Sequence, residues 1–178
     1  MLRKLLGALL VVVIVLVGVA YMLPREVHVE RSIVIERPAA TIYTLLSSFK
    51  RFNEWSPWSD LDLNAKTTLS GPESGVGARL SWSGNDKIGT GTEVITAMVP
   101  NESVSCDLDF GSQGIAKAGF QLLPDANGTR VVWSVDMDMG NNPVGRYMGL
   151  AMDGMIGKDY DKGLARMKAL LEKEPVSA

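Results

Sequence analysis

Val27-His28-Val29-Glu30-Arg31-Ser32-Ile33-Val34-Ile35-Glu36 alternates apolar and polar side chains, the period of two expected of a strand buried on one side. Val27, Val29, Ile33 and Ile35 share the dry face, where Arg31 is the one exception; His28, Glu30, Ser32 and Glu36 share the wet face. Pro38 ends the pattern and suits a first helical turn, where its missing N–H has no partner to lose. Ile42, Leu45, Leu46 and Phe49 then recur at helical spacing, which predicts a helix of about three turns. Phe52-Asn53-Glu54-Trp55-Ser56-Pro57-Trp58 reads as a second, shorter helix stopped by Pro57.

Beyond Trp58 the chain reads as short strands as far as Met139. Turn residues break it at Gly71–Gly75, Gly84–Asp86, Pro100-Asn101 and Asp125–Gly128. Strand phase places Ala78, Leu80 and Trp82 on the dry side, then Glu93, Ile95 and Ala97, then Val104, Cys106, Leu108 and Phe110. Ala116, Ala118, Phe120 and Leu122 follow, and last Val131, Trp133, Val135, Met137 and Met139. The alternate positions are mostly charged or hydroxyl-bearing, as an antiparallel sheet with one solvated face requires. From Pro143 to Pro175 a stripe runs through Met148, Met152, Met155, Ile156, Tyr160, Leu164, Met167, Leu170 and Leu171. It predicts one long helix covering the dry face. Gly149, Gly154, Gly157 and Gly163 each weaken that helix by about 1 kcal/mol relative to Ala, and so point to close approach or bending.

Ahead of the first strand, Leu5 to Leu23 is a run of 19 residues without a charge, preceded by Arg3 and Lys4 and closed by Pro24-Arg25. At about 1.5 Å per residue it approaches the roughly 30 Å of bilayer hydrocarbon. Residues 1–24 therefore read as a transmembrane anchor or a signal segment, and residues 25–178 as the domain it carries. Gly18 and Ala20 offer a cleavage site, but the apolar run continues past them through Tyr21, Met22 and Leu23, which favours an uncleaved anchor. Arg25, Arg31 and Arg37 alternate with acids inside a strand, whereas Arg3 and Lys4 have no acid near them. The expectation is a single-pass membrane protein with a cytoplasmic amino terminus and an extracytoplasmic domain, periplasmic if bacterial.

Composition narrows the function. In 178 residues, 18 Lys+Arg face 20 Asp+Glu. Without the anchor's two cations the carried domain is at −4 (16 basic, 20 acidic), which argues against nucleic acid and against attraction to anionic lipid. One cysteine and one histidine exclude an intrachain disulfide and a cysteine- or histidine-rich metal centre, so neither metal nor cofactor is expected. Ser47-Ser48-Phe49-Lys50 has the Ser-x-x-Lys spacing but lacks its companion motifs and reads as a helix end. Asp60-Leu61-Asp62-Leu63-Asn64 starts like a calcium loop, yet Ala65 and Gly71 stand where glycine and glutamate belong. Asp107 with Asp109, and Asp136 with Asp138, read as solvated carboxylates on wet faces. His28 reads as a surface residue and Cys106 as inert core. Asn101-Glu102-Ser103 and Asn127-Gly128-Thr129 fit a glycosylation pattern, but both coincide with turns.

The order of strand, two short helices, six strands and one long helix resembles the polyketide cyclase and lipid-transport branch of the START-like (SRPBCC) superfamily. The resemblance covers about residues 27–173. It is carried by Ile33–Ala39 with Ile42–Leu46, Trp55–Trp58, Gly89–Ile95, Gly128–Trp133 and Gly163–Lys168. It implies an α+β helix-grip fold, with a curved seven-stranded antiparallel sheet around the carboxy-terminal helix and a cavity between them for an apolar small molecule or lipid. Fold of this kind does not by itself settle function.

Within that frame Glu93 is the polar residue whose phase turns it toward the cavity, where it must find a partner, reach water or hold its proton. Either it anchors a ligand or acts as an acid, or it sits at the open end of the sheet and touches solvent. The expected ligand wall is Trp82, Glu93, Ile95, Phe110, Phe120, Trp133, Met137, Met148, Met152 and Met155, with methionine supplying an adaptable lining. Three functions fit: a membrane-tethered binding module, a cyclase-like enzyme using Glu93 for proton transfer, and a protein-interaction domain with a filled cavity. No oligomeric state follows from these residues.

Overall fold

The computed structural model describes residues 1–175. Helix α1 (Leu2–Met22) leads into strand β1 (Glu26–Ile35), then α2 (Ala39–Leu46) and the single turn α3 (Phe52–Trp55). Strands β2 (Lys66–Ser70), β3 (Arg79–Ser83), β4 (Thr90–Val99), β5 (Ser103–Asp109), β6 (Ile115–Asp125) and β7 (Gly128–Asp138) follow, and α4 (Pro143–Lys173) closes the chain. The strands form one antiparallel sheet in the order β1-β7-β6-β5-β4-β3-β2. Its hairpins run in sequence from β2 to β7, and β1 returns to pair with β7 from Glu26↔Asp138 to Ile35↔Thr129. This is the α+β helix-grip architecture. α1 is long and apolar enough to cross a membrane once, a property it shares with signal sequences.

Because directly paired residues lie on the same face, the register sorts the interior into rows. One row runs Val27, Met137, Ala116, Leu108, Glu93, Leu80, Leu69; the next runs Val29, Val135, Ala118, Cys106, Ile95; a third begins Arg31, Trp133, Phe120, Val104. α4 packs chiefly along β1 and against α3. Asn142 caps its first turn by accepting from the Val144 N–H at 3.0 Å, with Pro143 in the first helical position.

Arg31, the odd cation on the dry face, belongs there. It sits on the edge strand, reaches out along α4 and donates to the Asp153 carboxylate at 2.9 and 3.1 Å. Its guanidinium lies so close to Gly157 that a Cβ there would fall 2.0 Å from Arg31 Nη2. Gly149 and Gly163 serve the same close approach, with added Cβ atoms 2.8 Å from Val27 and 2.8 Å from the Trp133 ring.

Three details differ from the sequence reading. α2 is eight residues rather than three turns: the Ser47 hydroxyl bonds the Tyr43 carbonyl at 2.5 Å, and the Ser47 carbonyl accepts from the Gly75 N–H at 2.8 Å instead of from a further helical turn. A β-bulge between Ile95 and Ala97 shifts the phase of β4, so Ala97 is exposed and Met98 packs inward opposite Val104. Met148 and Met155 are 57% and 65% exposed. The helix turns Gly149, Met152, Ile156, Gly157 and Tyr160 to the protein, which rotates those two methionines outward.

Candidate functional site

Glu93 stands in mid-sheet between Leu80 on β3 and Leu108 on β5, and is 8% exposed. Its neighbours along the row are apolar, so burial pushes its carboxyl up to about 7, offset slightly by a hydrogen bond with the Cys106 thiol. So raised, the Glu93 carboxyl can keep its proton near neutrality and act as a hydrogen-bond donor. Burial and the neighbouring Glu93 push the Cys106 thiol up, so it stays a neutral thiol. The Tyr160 phenol is likewise raised by burial, with a smaller contribution from the Glu93 charge.

The aromatic residues divide into two groups. Trp55, Trp58, Phe120, Trp133 and Tyr160 form one packed cluster. Trp133 stacks on Tyr160 with centroids 3.8 Å apart and planes 7° apart, and on Phe120 at 5.1 Å, while Trp55 and Trp58 meet Trp133 edge-on at 5.4 and 5.8 Å. This cluster, with the glycine approach of α4, fills the space between helix and sheet on the β1–β7 side. The expected open cleft does not extend there, because Gly163 lets α4 settle onto Trp133. Trp55 Nε1 is buried within this cluster without a hydrogen-bond partner.

Trp82 and Phe110 form the second group, edge-on at 5.8 Å, with Trp82 Nε1 donating to the Ile88 carbonyl at 3.1 Å. Both are half-buried, as are Met137 and Met152. They lie at the end of the sheet nearest the Glu93 row. Of the ten residues expected to line a site, Trp82, Glu93, Phe110, Met137 and Met152 gather at this end. Ile95, Phe120 and Trp133 are core residues further in, and Met148 and Met155 face outward. Leu80, Leu108 and Ala116 are the residues that surround Glu93 along its row, a neighbourhood that becomes visible only once the register is known.

Among the described residues, two well-formed surface depressions both lie away from the α4–sheet contact. One of about 630 Å³ is bounded by Pro38, Asn101, Gln121, Pro124 and Thr129, at the opposite end from Glu93. The other, about 120 Å³, lies between Phe49 and the Leu69–Glu73 turn.

The motifs set aside earlier have structural partners. Lys50 pairs with Glu73. Asp60 binds Arg166 and Lys162, and Asp62 accepts from the Asn64 and Asn85 backbone N–H groups. His28 is exposed but not isolated: Asp136 across the sheet lies 2.7 Å from its Nδ1, and that hydrogen bond raises its pKa. Asp138 takes both arms of Arg25 at 2.6 and 2.5 Å, which with the Gly140 N–H lowers its carboxyl to about 2. Among the described residues no group of three or more His, Cys, Asp or Glu side chains is placed to hold a metal.

The family described as polyketide cyclase / dehydrase and lipid transport matches residues 26–172. No curated protein sequence matches this chain. Among solved structures, protein CV1439 of Chromobacterium violaceum is 15% identical over 85% of this chain and 99% of its own, with a TM-score of 0.55. Protein SA2116 of Staphylococcus aureus is 10% identical over 83% of this chain and 94% of its own, at 0.61. The di-domain ARO/CYC StfQ of the steffimycin biosynthetic pathway is 10% identical over 83% of this chain and 51% of its own, also at 0.61. At such identities the likeness is one of fold.

Proposed function

The chain belongs to the polyketide cyclase/dehydrase and lipid transport family, and from that premise we propose that it is a membrane-tethered binding domain for an apolar molecule such as a lipid. Its guest enters at the end of the sheet bounded by Trp82, Phe110, Met137 and Met152. The observation that carries this reading is Glu93, a carboxyl buried in an otherwise apolar row. Its partner within the protein is the Cys106 thiol, a weak one, so a hydrogen-bonding head on an apolar body would satisfy the carboxyl better. α1 supplies the tether, with Arg3 and Lys4 keeping the amino terminus in the cytoplasm and the domain on the far side.

Native mass spectrometry of the full chain, taken from its own membranes in mild detergent, tests the reading. The expected result is a mass that retains α1 and carries an apolar molecule. A chain that keeps α1 but holds no guest, and takes up none from added lipid, would overturn it.

A second reading draws on the same carboxyl, because a pKa near 7 suits a general acid or base. Retained binding with lost turnover in Glu93→Gln would select a cyclase-like enzyme; an indifferent variant selects the binding module.

A further inference from the structure

The antiparallel register gathers specific chain ends at one edge of the sheet. β1, β4 and β6 begin there, and β3, β5 and β7 end there, so loops 84–89 and 110–114 and the link 139–142 lie on the same side. α1 leaves the domain at this same edge, ending at Met22 just before β1 starts at Glu26.

α1 does not simply depart; it is bonded to the start of α4. Arg146, buried at the junction, donates from Nη1 to the Tyr21 and Leu23 carbonyls at 3.1 and 3.3 Å and from Nε to the Gly140 carbonyl at 3.0 Å. Its guanidinium carbon lies 5.3 Å above the Tyr21 ring, a cation–π arrangement. The Tyr147 hydroxyl donates to the Leu16 carbonyl at 2.8 Å. Leu16 precedes Met22 by six residues, which at 1.5 Å per residue is about 9 Å back along the helix. The first turns of α4 thus run beside α1 well inside its apolar length.

This edge also bears exposed apolar side chains. Leu63 and Ile115 are 88% and 74% exposed, and the two residues before Leu63 are held to the 84–89 loop by Asn85, which donates to the Asp62 carboxylate and to the Leu61 carbonyl. Val144 and Met148 on α4 are exposed as well. Several charges at the same edge are tied down: Arg25 with Asp138, and Asp109 on the Gly111 N–H at 2.7 Å.

We propose that this edge of the domain docks on the lipid bilayer, with the first two turns of α4 dipping beside α1 into the outer part of the hydrocarbon and the 110–115 loop seated at headgroup level. The inference rests on α1 being a membrane span. A bilayer, not a second protein, is the occupant because α1 itself leads there. Twenty-one residues of helix make about 31 Å, the thickness of the hydrocarbon, and the Tyr147 contact falls within that length. At that depth the Tyr147 ring can stand in the apolar zone because its hydroxyl is already bonded to the Leu16 carbonyl. The docked pose turns the Trp82–Phe110 end toward the lipid, so that an apolar guest would reach the Glu93 row without crossing water.

The test uses the full chain in phosphatidylcholine nanodiscs, with native Cys106 replaced by Ala, an environment-sensitive fluorophore on one introduced cysteine per variant and doxyl-labelled lipid as quencher. The labelled variants are Val15→Cys in α1, Ile115→Cys and Met148→Cys at the proposed edge, and Ala126→Cys at the far turn between β6 and β7. Docking predicts strong quenching at 15, 115 and 148 and severalfold less at 126. Quenching at 15 with 115 and 148 as dark to the quencher as 126 overturns the docking and leaves the tether standing. Absence of quenching at 15 overturns both.

Discussion

Arg31 on the edge strand and Asp153 on α4 are joined by two hydrogen bonds, at 2.9 and 3.1 Å, that pass directly over Gly157. The pair fixes the amino-terminal half of the long helix against β1, and it can form because position 157 has no side chain. Asp161 adds a second carboxylate 3.6 Å from Arg31 Nε. Both acids are largely exposed, so solvent screening weakens the ionic part of the pair and its main effect is geometric.

Substitutions at 31 and 157 should therefore be strongly coupled. Gly157→Ala alone is expected to displace the guanidinium and lose the pair, which offsets the gain of about 1 kcal/mol in helix propensity. In an Arg31→Ala background the obstruction is gone, and Gly157→Ala should stabilise by about 0.5–1 kcal/mol. Denaturant unfolding of the four chains in mild detergent checks this; additive effects would refute the contact.

Glycines elsewhere on α4 should respond by their surroundings. A Cβ at Gly163 would meet the Trp133 ring at 2.8 Å and the Pro57 ring at 3.0 Å, both rigid, whereas Gly154 has nothing within 4 Å. Gly163→Ala is expected to destabilise by about 1–3 kcal/mol, and Gly154→Ala to stabilise by about 1 kcal/mol. Melting temperatures of the two variants should move in opposite directions.

Glu93 should make stability depend on pH. Its folded pKa of about 7 lies above the ordinary 4.5, so the folded chain holds the proton more tightly. The stability this confers is whole below about pH 4.5, declines as pH rises, and is lost above about 7, a span on the order of 3 kcal/mol. His28, raised by Asp136, acts in the same direction, and comparison with Glu93→Gln removes its share. The variant should gain on the wild type between pH 5 and 8. Parallel stability–pH curves would show that Glu93 is solvated.

Cys106, buried with its pKa raised, should resist maleimide in the folded chain at pH 8 and react on unfolding. Fast labelling of the native protein would mean that the Glu93 row opens readily to solvent.

Much of the fold is legible in local pattern. Period two in Val27–Glu36, the turn residues between strands and the helical stripe ending at Leu171 are each set by neighbouring residues, and so read directly. The site is less legible. Glu93 stands out because its phase conflicts with its charge, but its row-mates Leu80 and Leu108 come from other strands, and only pairing register brings them together. Arg31 looked like an exception to its face until α4 supplied Asp153.

The sequence by itself determined the element order, the apolar leading helix and the dry side of nearly every strand, since periodicity and turn chemistry act over a few residues. Tertiary structure decided what those faces meet. A bulge at Ile95/Ala97 reset one strand, glycines brought α4 onto Trp133 and closed much of the expected cleft, and helix rotation sent Met148 and Met155 outward. A helical stripe wider than its contact leaves several rotations open, and close packing against one particular sheet selects among them.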